Sequence, residues 1–145
     1  MSPGWRRILR VGLAAGLLMN VLGWIGNQLL LGPLWKDAIQ TVVPLRSRTW
    51  VNEVVSLVPD FMYGIAIAWL FAVLAQTRGR GLRTALTAAL VVWAISVVPT
   101  YLGIANSALL PAGLAAATTL VGLAASVPTA WLVWKTLFRR EPDFE

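Results

Sequence analysis

The sequence predicts an all-α integral membrane protein, a four-helix bundle of up-down topology with both termini on the cytoplasmic side. Three observations lead there. The chain is 58% hydrophobic and only 12% charged, whereas soluble domains carry about 25% charged residues. Its apolar residues are gathered into four runs, each close to the length a helix needs to cross a bilayer. Its basic residues stand at the ends of those runs and mostly on one side of them, as they do in membrane proteins.

The first run, Val11 to Leu31, is apolar apart from Asn20, Asn27 and Gln28. At about 1.5 Å per residue it covers roughly the 30 Å of a hydrocarbon core. Arg6, Arg7 and Arg10 precede it, as basic residues precede a signal peptide. A signal peptide, however, has an apolar core of only about 7–15 residues and then a small-residue cleavage site. The stretch Met19-Asn20-Val21-Leu22 offers no such site, so the segment reads as a retained span.

Gly32 and Pro33 close that span, and residues 32–53 read as the outer loop, with Lys36, Asp37, Pro44, Arg46, Arg48, Asn52 and Glu53 too polar for lipid. Val54 to Ala75 is the second span, interrupted early by Pro59 and Asp60. Two readings of that interruption stay open. Pro59 can be the first residue of a helix, with the acid after it facing the positive end of the macrodipole; residues 49–58 are then an amphipathic segment on the membrane surface. Alternatively the helix runs through a proline kink, which membrane helices tolerate.

Gln76 to Arg83 is a tight basic turn, and Ala85 to Ile104 the third span. Asn106 and Ser107 mark a short uncharged turn, Pro111 stands where a first helical residue would, and the fourth span covers residues 109–134. The polar tail from Arg139 to Glu145 follows. All of this makes one membrane domain, 1–145.

Orientation comes from lysine and arginine. Arg6, Arg7, Arg10, Arg78, Arg80, Arg83, Lys135, Arg139 and Arg140 share one side, against Lys36, Arg46 and Arg48 on the other. The richer side is expected to be cytoplasmic. Trp5, Trp131 and Trp134 then fall at the inner interface and Trp35 and Trp50 at the outer one, while Trp24, Trp69 and Trp93 lie deeper and read as packing residues.

With no cysteine and no histidine, the chain lacks disulfides, imidazole bases and the commonest metal and haem ligands, so no cofactor and no metal are expected. The net charge of +6 is placed by topology and forms no basic stripe with interleaved aromatics, so no nucleic-acid partner is expected. Acid–base catalysis needs a positioned base. The carboxylates outside the tail are Asp37, Glu53 and Asp60, and Glu53 and Asp60 share a face only if the helix is continuous through Pro59. The chain is therefore expected not to be an enzyme.

Helix association in lipid rests on small residues that let backbones approach. Gly12, Gly16 and Asn20, continuing through Gly23 and Asn27, form such a strip on the first span, and Thr118, Gly122, Ser126 and Ala130 form one on the fourth. Gly16, Asn20, Gly23, Gly122 and Ser126 are the candidate packing residues.

Asp60 is the acid inside an apolar run, and intramembrane ionisable residues are functional candidates by default. The topology sets Asp60, Asn27, Gln28, Tyr63, Thr100 and Tyr101 at similar depth in the outer leaflet, where they would line one outward-facing polar cavity. The inner halves hold little that is polar beyond Thr87, Ser126 and Thr129, so a continuous pathway is not expected. Ser56 to Phe61 and Ser96 to Tyr101 resemble each other, but the spacing to the next glycine differs, and no repeat is inferred.

Three stretches carry a family resemblance: Asn27 to Trp35 at the end of span one, Gly64 to Ala72 in span two, and Gly81 to Ala85 with Trp93 at the start of span three. With them the whole chain resembles the uncharacterised small four-span integral membrane proteins of bacteria. The resemblance implies the helical bundle and a bacterial inner-membrane address, and carries no function. The favoured expectation is a non-enzymatic bundle in the lipid bilayer, an accessory or structural subunit packing against a larger membrane protein; the alternative is a small-molecule binder or transporter built on the cavity around Asp60. Nothing in the pattern fixes a homo-oligomer.

Overall fold

A computed structural model of the protein describes residues 3–42, 50–107 and 109–138. Among these, every regular element is helical: α1 (Trp5–Trp24) continuing into a π-helical stretch (Ile25–Leu30), α2 (Gly32–Val42), α3 (Trp50–Arg78), α4 (Leu82–Asn106) and α5 (Ala112–Leu137). Four stretches are long and apolar enough to cross a bilayer, Trp5–Leu30, Leu57–Arg78, Leu82–Asn106 and Ala112–Leu137, the mark of a multi-pass membrane protein.

The helices run past the limits that hydropathy alone sets. The first starts at Trp5 rather than Val11 and the last ends at Leu137 rather than Trp134, because long basic side chains such as those of Arg6 and Arg10 can reach the interface from a helix that is still apolar along its other faces. Residues 32–53 do not form a loop throughout. Pro33 opens α2, where a missing N–H costs nothing, and Trp50 to Glu53 already belong to α3; residues 43–49 lie outside the described residues. Pro59 is not a helix start, since α3 is continuous from Trp50 through it. Residues 50–58, a separate surface segment in that reading, thus belong to the same helix as Asp60, with Glu53 and Asp60 two turns apart on it.

The main contacts are α1 with α3 and α5, and α4 with α5 and α3. The tightest is α1 on α3. A Cβ at Gly12 would lie 2.6 Å from Ile65 Cα, and one at Gly16 would lie 2.6 Å from Phe61 Cα and 2.9 Å from the Asp60 carbonyl oxygen. Gly64 faces the Gly16 amide nitrogen and the Gly12 carbonyl oxygen, with no room for a side chain. Three glycines therefore bring two backbones together, as small residues do in lipid. Gly122 is a looser version on the other side, where a Cβ would stand 3.3 Å from Val97 Cγ1.

Gly23 departs from the expected strip, because a Cβ there would meet nothing within 4 Å. As Gly12 meets Ile65 and Gly16 meets Phe61, Gly23 comes level with the first turns of α3, and Val54, Val55, Leu57 and Val58 there are all exposed. Close approach resumes at Gly26, which abuts the Val121 side chain on α5. Beyond Gly26 the helix widens, as the Leu31 amide reaches back five residues to the Gly26 carbonyl at 3.1 Å.

The core is built mainly of alanine, with Ile67, Phe71, Val133 and Leu137 fully buried. Phe71 meets Phe138 edge-on, centroids 5.4 Å apart. Trp24 and Trp69 project from the bundle, 59% and 50% exposed; they are surface residues rather than packing residues. Trp93 does pack, half-buried between α4 and α5, with its indole N–H donated to the Thr119 carbonyl at 3.1 Å. At the other end Arg7 donates to the Thr136 carbonyl, 3.1 Å, satisfying a last-turn acceptor of α5.

Candidate functional site

The candidate cavity residues fall into two groups. Asn27 is occupied at both ends of its amide: Nδ2 donates to the Gly23 carbonyl at 3.0 Å and Oδ1 accepts the Trp35 indole N–H at 3.2 Å. It thereby ties the π-helical stretch to α2. Gln28 is exposed. Thr100 is exposed and donates back to the Ser96 carbonyl, 2.6 Å, the local bond that hydroxyl residues make inside helices.

Asp60, Tyr63 and Tyr101 belong together. Asp60, half-buried, lies one helical turn before Tyr63 on α3, and its carboxylate is near enough to Tyr63 and to Tyr101 on α4 for the charge to be felt at both phenols. The continuity of α3 through Pro59 carries Asp60 on the stripe that continues inward through Tyr63, Ile67 and Phe71. Tyr63 is only 7% exposed, and its hydroxyl lies 2.8 Å from Ser126 Oγ. Ser126 has one proton, which it donates to the Gly122 carbonyl at 2.7 Å, so the phenol is the donor in the pair with Ser126. Among the described residues no hydrogen bond or ion pair joins Asp60.

Of the packing candidates, Asn20 donates to the Gly16 carbonyl at 3.2 Å, and Ser126 is buried in the Tyr63 contact. Thr118 is a residue whose role the sequence does not reveal beyond its place in the strip. Thr119, Ser126, Thr129 and Thr136 on the same helix all donate to the carbonyl four residues back, but Thr118 Oγ1, in a residue 3% exposed, has no partner. Gly64 is the other residue missed. Its spacing to Ala68 and Ala72, both buried, was the available signal, a small residue at every fourth position of span two.

A groove of about 400 Å³ lies between α4 and α5 at the end of the bundle away from the arginines, bounded by Trp93, Tyr101, Leu102, Thr119 and Leu120 over a floor of alanines. Tyr101 thus borders both this groove and the Asp60 group. Toward the arginine end the interior is closed by Ile67, Phe71, Val133 and Leu137. Chemically, the Asp60 group offers one carboxylate as acceptor, while the Tyr63 proton is committed to Ser126. No family model, no curated protein and no solved structure matches the chain.

Proposed function

We propose that the protein is a non-enzymatic four-span bundle of the bacterial inner membrane, up-down in topology with both termini cytoplasmic, serving as an accessory or structural subunit that packs against a larger membrane complex. The observation that carries this reading is where the interior polar groups go. Tyr63 to Ser126, Trp93 to the Thr119 carbonyl and Arg7 to the Thr136 carbonyl each join two helices. Polar side chains that would have to be poised for chemistry are instead ties between spans, as in bundles whose task is to hold a shape. The outer faces support the same reading: Leu13, Leu17, Val21 and Trp24 leave one side of α1 apolar and exposed, suited to lipid or to another membrane helix.

Extraction from native membranes in mild detergent tests it. Migration with a stoichiometric larger membrane protein is the expected result; a particle no larger than one bundle with its detergent overturns the accessory role.

A second reading keeps the Asp60 group as a small-molecule site that opens outward. It is favoured by one observation, the half-buried Asp60 carboxylate with no hydrogen-bond or ion-pair partner among the described residues. A lone acid at membrane depth is costly to keep unless something meets it. In this reading the closed inner half makes the protein a binder rather than a channel.

A further inference from the structure

We propose that the arginine end of the bundle is a binding site for the phosphate of an anionic lipid headgroup, held by Arg78, Arg83 and Lys135. Folding brings these cations, from α3, α4 and α5, to one end of the bundle. The turn between α3 and α4 is short and passes through Gly79 at a positive φ of 85°, a conformation glycine adopts at little cost. It is fastened to the last turn of α5 in two ways: the Trp134 indole N–H donates to the Arg80 carbonyl at 3.1 Å, and the Arg80 guanidinium lies 4.7 Å from the Phe138 ring centroid. Arg78 and Arg83 flank this fastened turn and are exposed, and Lys135, exposed on the adjacent α5 turn, lies 4.6 Å from the Trp131 ring centroid.

Arg6 and Arg10 on α1 add exposed positive charge at the same end, which Arg7 joins to α5 through the Thr136 carbonyl. The acids of the described chain, Asp37, Glu53 and Asp60, all lie in α2 or the first half of α3, so none neutralises this group from within those residues. Like charges held on a fixed frame at a low-dielectric boundary repel one another, and an anion among them removes that cost. Guanidinium forks match phosphate oxygens two at a time. The lipid source is favoured over a free anion by Trp131, exposed beside Lys135: an indole at the headgroup level gives a bound molecule an apolar flank that inorganic phosphate does not use.

The test uses the full chain in mixed micelles of phosphatidylglycerol and phosphatidylcholine, with native mass spectrometry counting the lipids retained. Preferential retention of phosphatidylglycerol is expected, and the triple variant Arg78→Gln, Arg83→Gln, Lys135→Gln should lose that preference by about tenfold or more, given the strength of basic residues near anionic lipid. Lys36→Gln, at the opposite end, should keep it. Arg83→Gln alone, with elution and helical circular dichroism unchanged, should give a partial loss and serves if the triple variant misfolds. Equal retention of both lipids, or an unchanged preference in a folded triple variant, overturns the proposal. So does equal competition by millimolar inorganic phosphate, which would assign the site to a soluble anion.

Discussion

The Tyr63 hydroxyl donates to Ser126 Oγ across 2.8 Å, joining α3 to α5, two helices that are not neighbours in the chain. Hydrogen bonds between membrane helices contribute about 0.6 kcal/mol on average and up to about 1.7. Tyr63→Phe and Ser126→Ala should each lower thermal stability in detergent by about that much. Because they remove one bond, the double variant should lose less than the two single losses added. Full additivity in a melting experiment would show that the two residues stabilise the bundle independently.

Glycine positions separate sharply. Gly64→Leu and Gly16→Leu must push α1 from α3 and should cost about 1–3 kcal/mol or more, whereas Gly23→Leu, with open space beside it, should change stability by less than about 0.5 kcal/mol. Melting temperatures of the three variants in one detergent check the order. If Gly23→Leu is as damaging as Gly64→Leu, α1 meets a neighbour at that level.

Reporter fusions at Gln40, Arg80 and Glu145 test the proposed orientation, which rests on the distribution of lysine and arginine. Activity of a reporter that works only outside the membrane is expected at Gln40 alone. Such activity at Arg80 or Glu145 would reverse the assignment.

Asp60 distinguishes the two functional readings. Asp60→Cys should react with a membrane-impermeant maleimide applied to intact cells more slowly than Lys36→Cys, because position 60 is half-buried and Lys36 is exposed. Equal rates would remove the enclosed site. Asp60→Asn keeps the shape and removes the charge; in the binding reading it should alter association with a ligand or partner while leaving the melting temperature within a few degrees, since its carboxylate has no hydrogen-bond or ion-pair partner among the described residues.

The spans were legible because the membrane imposes a length and an apolar composition on any helix that crosses it. Their junctions were less so. Pro59 carries the same local signal at a helix start and inside a membrane helix, and only the continuity of α3 from Trp50 through it shows that the helix occupies both sides. Gly23 stands apart from the strip because spacing by fours assumes helices that stay in contact, whereas a Cβ there would meet nothing within 4 Å and the first turns of α3 level with it are exposed. Of the cavity group, Tyr63 and Tyr101 share depth with Asp60 in the sequence and its neighbourhood in the fold. Asn27 shares the depth, but its bonding to Trp35 depends on α2 being a helix, which the polar residues of that segment conceal.

A core of alanine and glycine has little relief, and smooth surfaces of this kind fit one another in more than one arrangement. One such helix can slide along its neighbour by a turn with little loss of alanine contact. The directional bonds resist that slippage: Trp93 reaches the Thr119 carbonyl, Trp134 the Arg80 carbonyl and Arg7 the Thr136 carbonyl, each a contact that a shift of one turn, about 5.4 Å, would break. These polar contacts therefore help to hold the register of the helices, and their joint removal should leave a protein that still forms helices but holds them less firmly against one another.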